Sequence, residues 1–83
     1  MIKIYCTNWC GSCIAAKKML DDMDLSYEEI NIEEEGLSRN DLVKLTGGYT
    51  VPQILINDNP IGGFNELFQL NQLGKLKELL ANK

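Results

Sequence analysis

Hydrophobic and polar positions follow two different spacings in the first third of the chain. Residues Ile2–Cys6 alternate with period two and are rich in β-branched and aromatic side chains, which is typical of a strand. From Gly11 onward the apolar positions recur every three or four residues, which predicts a helix. Tyr27, Ile30 and Ile32 lie in a short β-like stretch, which predicts a second strand that ends at the glutamates before Gly36.

The rest of the chain predicts a helix, a hairpin and a C-terminal helical segment. The segment Ser38–Thr46 starts with a serine that can cap a helix and is followed by a pair of glycines, which predicts a second helix. Gln53–Ile56 and Pro60–Gly62 flank an Asn-Asp-Asn turn and predict two paired strands. A further helix is predicted for Asn65–Leu73, and Gly74 ends or weakens it before a final leucine-containing turn.

This order of elements defines a fold class. It is β-α-β-α-β-β-α in a chain of 83 residues, which is enough for one hydrophobic core but not for two. A βαβ unit gives two parallel strands, and the hairpin adds two antiparallel ones, with helices on both faces. The sequence therefore predicts one α/β domain over residues 1–83, with a four-stranded mixed sheet flanked by helices and the topology of a minimal thioredoxin-like fold.

Composition and charge narrow the range of partners. The chain is 45% hydrophobic and 24% charged, as expected of a globular protein that folds alone. No apolar run approaches the roughly 20 residues that cross a bilayer, and the first residues are too mixed for a secretory signal. The net charge of -4, without a stripe of Lys or Arg, repels phosphate backbones. We therefore expect a cytoplasmic protein that binds neither membranes nor nucleic acid.

Thiols are the candidate chemistry of this chain. There is no histidine, which excludes Cys-His hydrolysis, His-ligated zinc and imidazole acid-base catalysis together. The three cysteines, Cys6, Cys10 and Cys13, lie close together in sequence, unlike the spread framework of a secreted disulfide protein. A closed zinc site needs four ligands, and the chain offers only Cys6 as a third sulfur, so we predict no metal site.

Trp9-Cys10-Gly11-Ser12-Cys13 is a C-x-x-C motif between a predicted strand and a predicted helix, which is the context of a redox pair. Backbone N–H groups and the dipole at a helix N-terminus stabilise an anion, so Cys10 can be a thiolate near neutral pH. Cys13 lies one turn inside the helix, where it is more buried and can reach Cys10 to expel a bound group. We predict that Cys10 attacks and that Cys13 resolves.

Two residues beside this pair carry weaker signals. Cys6 stands at a strand end, and we interpret it as a small buried hydrophobe rather than a third catalytic thiol. Trp9 lies in the loop beside Cys10, and we interpret it as a wall that faces the substrate, with simple packing as the alternative.

Three segments in order and spacing resemble the glutaredoxin family over nearly the whole chain. They are an Ile-Tyr strand directly before the C-x-x-C motif, then Thr50-Val51-Pro52-Gln53, then Ile61-Gly62-Gly63-Phe64-Asn65. The resemblance implies a thiol-disulfide oxidoreductase that uses glutathione as its reductant and co-substrate.

The same resemblance implies a glutathione site around the thiols. Val51-Pro52 is expected to be a cis peptide bond, and the backbone of Thr50 and Val51 to pair with the cysteinyl part of glutathione. In the family, the Gly-Gly turn and the next helix start hold the γ-glutamyl end, and here these positions are Gly63, Phe64 and Asn65. Open backbone N–H groups at a helix N-terminus suit such a carboxylate.

The chain departs from the family pattern at two places. Glutaredoxins commonly carry a lysine three residues before the attacking cysteine, where it helps hold the glycine carboxylate of glutathione, and this chain has Thr7 there. Without that lysine, the N-terminus of the first helix must contribute more to holding the carboxylate, or the side chain of Arg39 or Lys44 must reach it from the second helix. The usual Pro-Tyr inside the motif is Gly11-Ser12, which is closer to thioredoxins, although thioredoxin is a longer protein.

The resemblance leaves three functions to consider. The favoured one is a monomeric enzyme that reduces protein disulfides and glutathione mixed disulfides, with glutathione restoring the dithiol. One alternative is a glutaredoxin-like redoxin that donates electrons to ribonucleotide reductase and is reduced by thioredoxin reductase. The other is a carrier of a [2Fe-2S] cluster ligated by Cys10 of two chains and two glutathiones, since family members that lack the motif proline can do this.

Overall fold

The computed structural model describes residues 1–8 and 10–81. These residues form four strands and four helices in the order β1 (Ile2–Cys6), α1 (Gly11–Asp22), β2 (Glu28–Asn31), α2 (Arg39–Thr46), β3 (Gln53–Ile56), β4 (Asn59–Gly62), α3 (Phe64–Gln72) and α4 (Lys75–Ala81). None of the helices within the described ranges is long and apolar enough to span a membrane.

The strands form one mixed sheet in the spatial order β2-β1-β3-β4. The pair β1 and β2 is parallel, whereas β3 is antiparallel to both β1 and β4. A parallel pair needs a crossover connection, and α1 provides it. The predicted α/β fold class, a four-stranded mixed sheet flanked by helices, is confirmed, with one parallel and two antiparallel pairings.

The sheet is covered on both faces, and the alternation along β1 decides which side chain goes to which face. Ile2 and Ile4 point toward α1, α3 and α4, where the larger cluster is buried; its other members are Ala16, Leu20, Ile54, Ile56, Leu67 and Leu76. Tyr5 points the other way and packs with Leu42 of α2. Because Cys6 is two residues beyond Ile4, it belongs to the α1 face, beside the start of that helix.

The C-terminal part differs from the expectation in one respect. The predicted final turn is a separate helix, α4, because Gly74 adopts a left-handed φ of +73° that stops α3 before the chain turns. The helix α3 begins at Phe64, one residue earlier than predicted, and β4 begins at Asn59 rather than at Pro60. These shifts do not change the topology.

Candidate active site

The two motif cysteines occupy different positions at the N-terminus of α1. Cys10 is the N-cap residue, with extended backbone, and its sulfur accepts a hydrogen bond of 3.3 Å from the backbone N–H of Cys13. Cys10 is partly exposed, whereas Cys13 has no exposed surface. The C-x-x-C spacing places the first sulfur at the helix terminus and the second one turn inside it, as predicted from the sequence.

The environment of Cys13 favours its protonated form. Burial, followed by a hydrogen bond to the Cys10 sulfur, raises the pKa of the Cys13 thiol from 9.0 to about 12, although the backbone of Thr7 opposes the shift. A thiol with so high a pKa is a poor nucleophile until its proton is removed. The burial and the raised pKa of Cys13 therefore mark it as the inner thiol of the pair.

The proline loop, residues 50–52, lies beside Cys10, the outer thiol. The Val51-Pro52 peptide bond is cis, which confirms the prediction for this bond. The carbonyl oxygen of Val51 lies 3.5 Å from the Cys10 sulfur and can accept a hydrogen bond from the thiol. Thr50 and Val51 thus run directly past Cys10, where a peptide backbone could pair with them.

A first groove of about 230 Å³ extends from this loop to the start of α3. Its walls are Ser12, Thr50, Val51, Pro52, Gln53, Gly63, Phe64, Asn65 and Glu66. All six of the predicted positions from the proline loop and the Gly-Gly turn therefore line one groove. The sequence did not single out Glu66, whose carboxylate accepts a hydrogen bond of 3.2 Å from the backbone N–H of Gly63. An acid at the third position of a helix that follows a glycine cap was the signal that could have found it.

Backbone N–H groups at the start of α3 are available in this groove as hydrogen-bond donors. Glu66 uses the N–H of Gly63, but the N–H groups of Phe64 and Asn65 belong to the first turn, which has no intrahelical acceptors. Such donors bind anions. The α3 terminus therefore presents two N–H groups for a carboxylate, with the negative Glu66 beside them.

A second groove of about 290 Å³ lies on the other side of Val51. Thr7 and Arg39 line it together with Ile32, Glu33, Leu37 and Ser38. The Thr7 hydroxyl is buried and makes no hydrogen bond within the described part of the chain. Arg39 donates from Nη1 to the carbonyl oxygen of Tyr49 over 2.6 Å, which holds its guanidinium at this groove. Lys44, the other candidate cation, lines neither groove.

Arg39 owes its position to a well-capped helix. The Ser38 hydroxyl accepts a hydrogen bond from the backbone N–H of Asp41, and the Asp41 carboxylate accepts one from the N–H of Ser38. These two bonds form a capping box. They fix the first turn of α2, to which Arg39 belongs.

Cys6 makes a polar contact with Glu29 that its position in the sequence did not indicate. It is fully buried, as interpreted from the sequence, but its thiol also donates a hydrogen bond of 3.2 Å to Oε2 of Glu29. The same carboxylate oxygen accepts a bond of 2.9 Å from Nζ of Lys17. The parallel register pairs Ile4 with Glu29, so Glu29 shares the α1 face with Cys6. That register is a tertiary feature, so Glu29 could not be identified as a partner of Cys6 from the sequence.

Two remaining expectations concern Trp9 and metal. Trp9, interpreted as a substrate-facing wall, lies outside the described residues. Among residues 1–8 and 10–81, no group of three or more His, Cys, Asp or Glu side chains is placed to hold a metal ion.

The fold and the thiol pair together define the class: a thioredoxin-like protein with a dithiol at a helix N-terminus beside a cis-proline. The glutaredoxin family model matches residues 2–61. The chain is 38% identical over 80 residues to a glutaredoxin of Pseudomonas aeruginosa, covering 96% of this chain and 95% of that one. It is 35% identical over 79 residues to glutaredoxin 3 of Escherichia coli, with 95% of each chain covered. This chain belongs to the glutaredoxin family.

Solved structures give the same result for the fold. A buckwheat glutaredoxin in complex with glutathione superimposes with a TM-score of 0.86 at 26% identity, covering 96% of this chain and 76% of that one. The holo form of glutaredoxin C1 from Populus tremula x tremuloides gives a TM-score of 0.85 at 27% identity, covering 98% and 76%. The predicted thioredoxin-like fold is confirmed.

Proposed function

We propose that this protein is a glutathione-dependent thiol-disulfide oxidoreductase that reduces protein disulfides and glutathione mixed disulfides. The observation that carries the proposal is the position of Cys10, which lies at a helix N-terminus, 3.5 Å from the Val51 carbonyl. The proline loop that contains Val51 borders both grooves. A substrate whose backbone runs along this loop brings its sulfur to the Cys10 sulfur, as nucleophilic exchange requires.

The reaction proceeds by two exchanges. The Cys10 thiolate attacks one sulfur of the substrate disulfide, a new S–S bond forms to Cys10, and the other sulfur leaves as a thiolate that takes up a proton. Cys13 then attacks the Cys10 sulfur and releases the bound thiol, which leaves a Cys10–Cys13 disulfide. Two molecules of glutathione reduce this disulfide and become oxidised glutathione. With a glutathione mixed disulfide as substrate, a second glutathione can replace Cys13 in the resolving step.

The two grooves suit the two ends of glutathione. The γ-glutamyl carboxylate fits the N–H groups of Phe64 and Asn65, and the Glu66 carboxylate lies where it can face the neighbouring ammonium group. The glycine carboxylate fits the second groove, where Arg39 supplies the positive charge that Thr7 lacks. The buckwheat glutaredoxin, which shares the fold, forms a complex with glutathione, and this supports glutathione as the ligand of the two grooves.

A coupled assay tests the proposal. The purified protein is mixed with a glutathionylated peptide, glutathione, glutathione reductase and NADPH, and a parallel assay uses thioredoxin reductase in place of glutathione and its reductase. We expect turnover in the first assay, none with Cys10→Ser, and retained turnover of the mixed disulfide with Cys13→Ser. Turnover only with thioredoxin reductase would overturn glutathione dependence and favour the redoxin that serves ribonucleotide reductase.

The cluster-carrier alternative stays a prediction. Of the thiols, Cys10 is partly exposed, whereas Cys6 and Cys13 are buried. One chain would therefore supply a single thiolate to a [2Fe-2S] cluster, and the other ligands would come from a second chain and from glutathione. Gly11 has open space around it, so its small size is not imposed by packing.

A further inference from the structure

A cleft of about 300 Å³ separates the outer surfaces of α1 and α3. Its apolar lining comes from Met19 and Met23 of α1 and from Phe64 and Phe68 of α3, and these residues define the α1–α3 cleft. Met19, Met23 and Phe64 also pack against the buried core, so the floor of the cleft is part of the fold. Methionine side chains are flexible and are common at surfaces that bind varied apolar partners.

Phe68 is an exposed aromatic residue that the fold leaves at the edge of this cleft. It is 44% exposed, whereas its neighbour Leu67 is completely buried in the core. The rings of Phe64 and Phe68 pack one helical turn apart, with centroids separated by 6.1 Å and planes tilted by 36°. This contact holds the Phe68 ring beside the cleft. An exposed aromatic ring at a concave apolar surface is typical of a binding site.

The α1–α3 cleft continues the first groove of the active site. Phe64 lines both of them. On the opposite wall, Ser12 lines the groove and Ala15, three residues later on the same helix, lines the cleft. Residues three positions apart in a helix are neighbours on its surface. A bound chain that leaves the first groove between α1 and α3 therefore enters the cleft directly.

Length decides which ligand reaches the cleft from Cys10. Met19 follows Cys10 by nine residues, which corresponds to roughly 14 Å along the helix axis. An extended peptide spans about 3.3 Å per residue, so about the fourth residue from a cysteine bonded to Cys10 reaches this point. Glutathione has a single residue on each side of its cysteine and therefore ends in the first groove. A polypeptide substrate is long enough to fill both.

We propose that the α1–α3 cleft binds an apolar side chain of the polypeptide substrate, a leucine, methionine or phenylalanine about four residues before the cysteine that bonds to Cys10. The inference rests on the proposed function, in which the γ-glutamyl residue of glutathione occupies the first groove. That residue lies on the N-terminal side of the glutathione cysteine. A polypeptide that runs in the same direction carries its N-terminal side past Phe64 into the cleft.

The charges beside the cleft are balanced, which leaves apolar contact as the basis of recognition. Lys18 and Asp22 line it from α1, one helical turn apart, and both are exposed. A charged side chain of the substrate meets one attractive and one repulsive group there. An apolar side chain instead gains by leaving water.

An exchange equilibrium measures what the cleft contributes. In the Cys13→Ser protein an adduct on Cys10 has no internal resolving thiol, so a cysteine-containing peptide and glutathione compete for the same sulfur. Intact-protein mass spectrometry in an anaerobic glutathione redox buffer gives the ratio of the two mixed disulfides. Two peptides differ only in the fourth residue before the cysteine, leucine or serine. A third peptide carries the leucine at the fourth position after the cysteine.

We expect the first leucine peptide to displace glutathione at least about 10-fold better than the serine peptide, because the cleft buries the leucine side chain. Phe68→Ser should remove most of this preference, whereas Phe68→Leu, which keeps an apolar side chain, should retain it. Leu73→Ser is the matched control, since Leu73 is 68% exposed at the C-terminal end of α3 and does not line the cleft. Adduct formation with glutathione alone should be the same in all of these proteins.

The outcomes separate this proposal from the proposed function. Equal displacement by the first leucine peptide and the serine peptide, or a preference that survives Phe68→Ser, would overturn the role of the cleft. Equal preference for leucine on either side of the cysteine would overturn the direction of binding. A dimer in gel filtration that Phe68→Ser dissociates would show that a second copy covers the cleft instead of a substrate. Absence of a glutathione adduct would count against glutathione dependence alone, because the peptides can then compete directly with each other.

Discussion

The backbone N–H of Cys13 donates to the sulfur of Cys10 over 3.3 Å, so the inner cysteine of the pair helps to stabilise the sulfur of the outer one. This bond exists because Cys10 is the N-cap of α1 and Cys13 is the third residue of the helix, where the N–H has no intrahelical acceptor. The sulfur thus plays the part that a serine or aspartate oxygen plays at other helix starts. Local helix geometry, rather than a neighbouring base, distinguishes the two thiols.

Alkylation should separate the three thiols by their exposure. In the folded, reduced protein we expect iodoacetamide to modify Cys10 rapidly, and Cys6 and Cys13 only on unfolding, because neither inner thiol has exposed surface. Mass spectrometry of peptides after timed quenching measures this order, with Cys10→Ser as the control. Faster modification of Cys13 than of Cys10 would contradict the assignment of attacking and resolving thiols.

Arg39 should be required for binding the glycine carboxylate of glutathione. Charge-assisted hydrogen bonds contribute about 1.5–3 kcal/mol, so Arg39→Ala should raise the KM for a glutathionylated peptide about 10-fold or more, with little change in kcat. Lys44→Ala removes a positive charge from the same helix outside both grooves and should leave the KM unchanged. Thr7→Lys in the Arg39→Ala protein should recover affinity by placing an ammonium group in the same groove. If the KM of Arg39→Ala equals that of the wild-type protein, the carboxylate binds elsewhere.

The reduced protein should lose stability in alkaline solution through its inner thiols. The pKa of Cys6 is raised to about 11 and that of Cys13 to about 12, mainly by burial, from an ordinary value of 9.0. Because the unfolded chain ionises first, each thiol contributes stability that is fully present below pH 9.0 and is lost as the pH rises toward its folded pKa.

Urea unfolding under reducing conditions, at pH values below 9.0 and near 11, measures this loss. Lysines and tyrosines also titrate in this range, so the comparison is between the wild-type protein and Cys6→Val, in which one inner thiol is absent. The variant should show a smaller fall in the free energy of unfolding. An equal fall in both proteins would show that Cys6 ionises as readily in the folded protein as in the unfolded chain.

Leu42 should be essential to the packing of α2 against the sheet. It is fully buried with Tyr5, Ile32 and Leu55, so Leu42→Ala should reduce the free energy of unfolding by about 2–5 kcal/mol. Val43, the next residue of the helix, is 40% exposed, and Val43→Ala should change it by less than about 0.5 kcal/mol. Urea denaturation monitored by circular dichroism gives both values. Similar values for the two variants would show that α2 is not anchored through Leu42.

Much of the scaffold could be predicted from the sequence because its signals are local. The period-two alternation of β1, the helical spacing after Gly11 and the glycines that end helices each involve residues a few positions apart. The helix start also places Cys10 outside and Cys13 inside without further information. The C-terminal helix α4 was predicted only as a final turn. Gly74 reverses the chain there, and a new helix begins after it.

The grooves and the Cys6–Glu29–Lys17 contact were decided by the tertiary structure alone. Cys6 and Glu29 are 23 residues apart and meet only because β1 and β2 pair in parallel with Ile4 opposite Glu29, which puts both side chains on the face that α1 covers. Shifting that register by one residue would turn Glu29 to the opposite face. Similarly, Arg39 reaches the groove of Thr7 because α2 packs on the other face of the sheet. Sequence spacing determines which side chains share an element, but strand register and helix packing determine which side chains from distant elements touch.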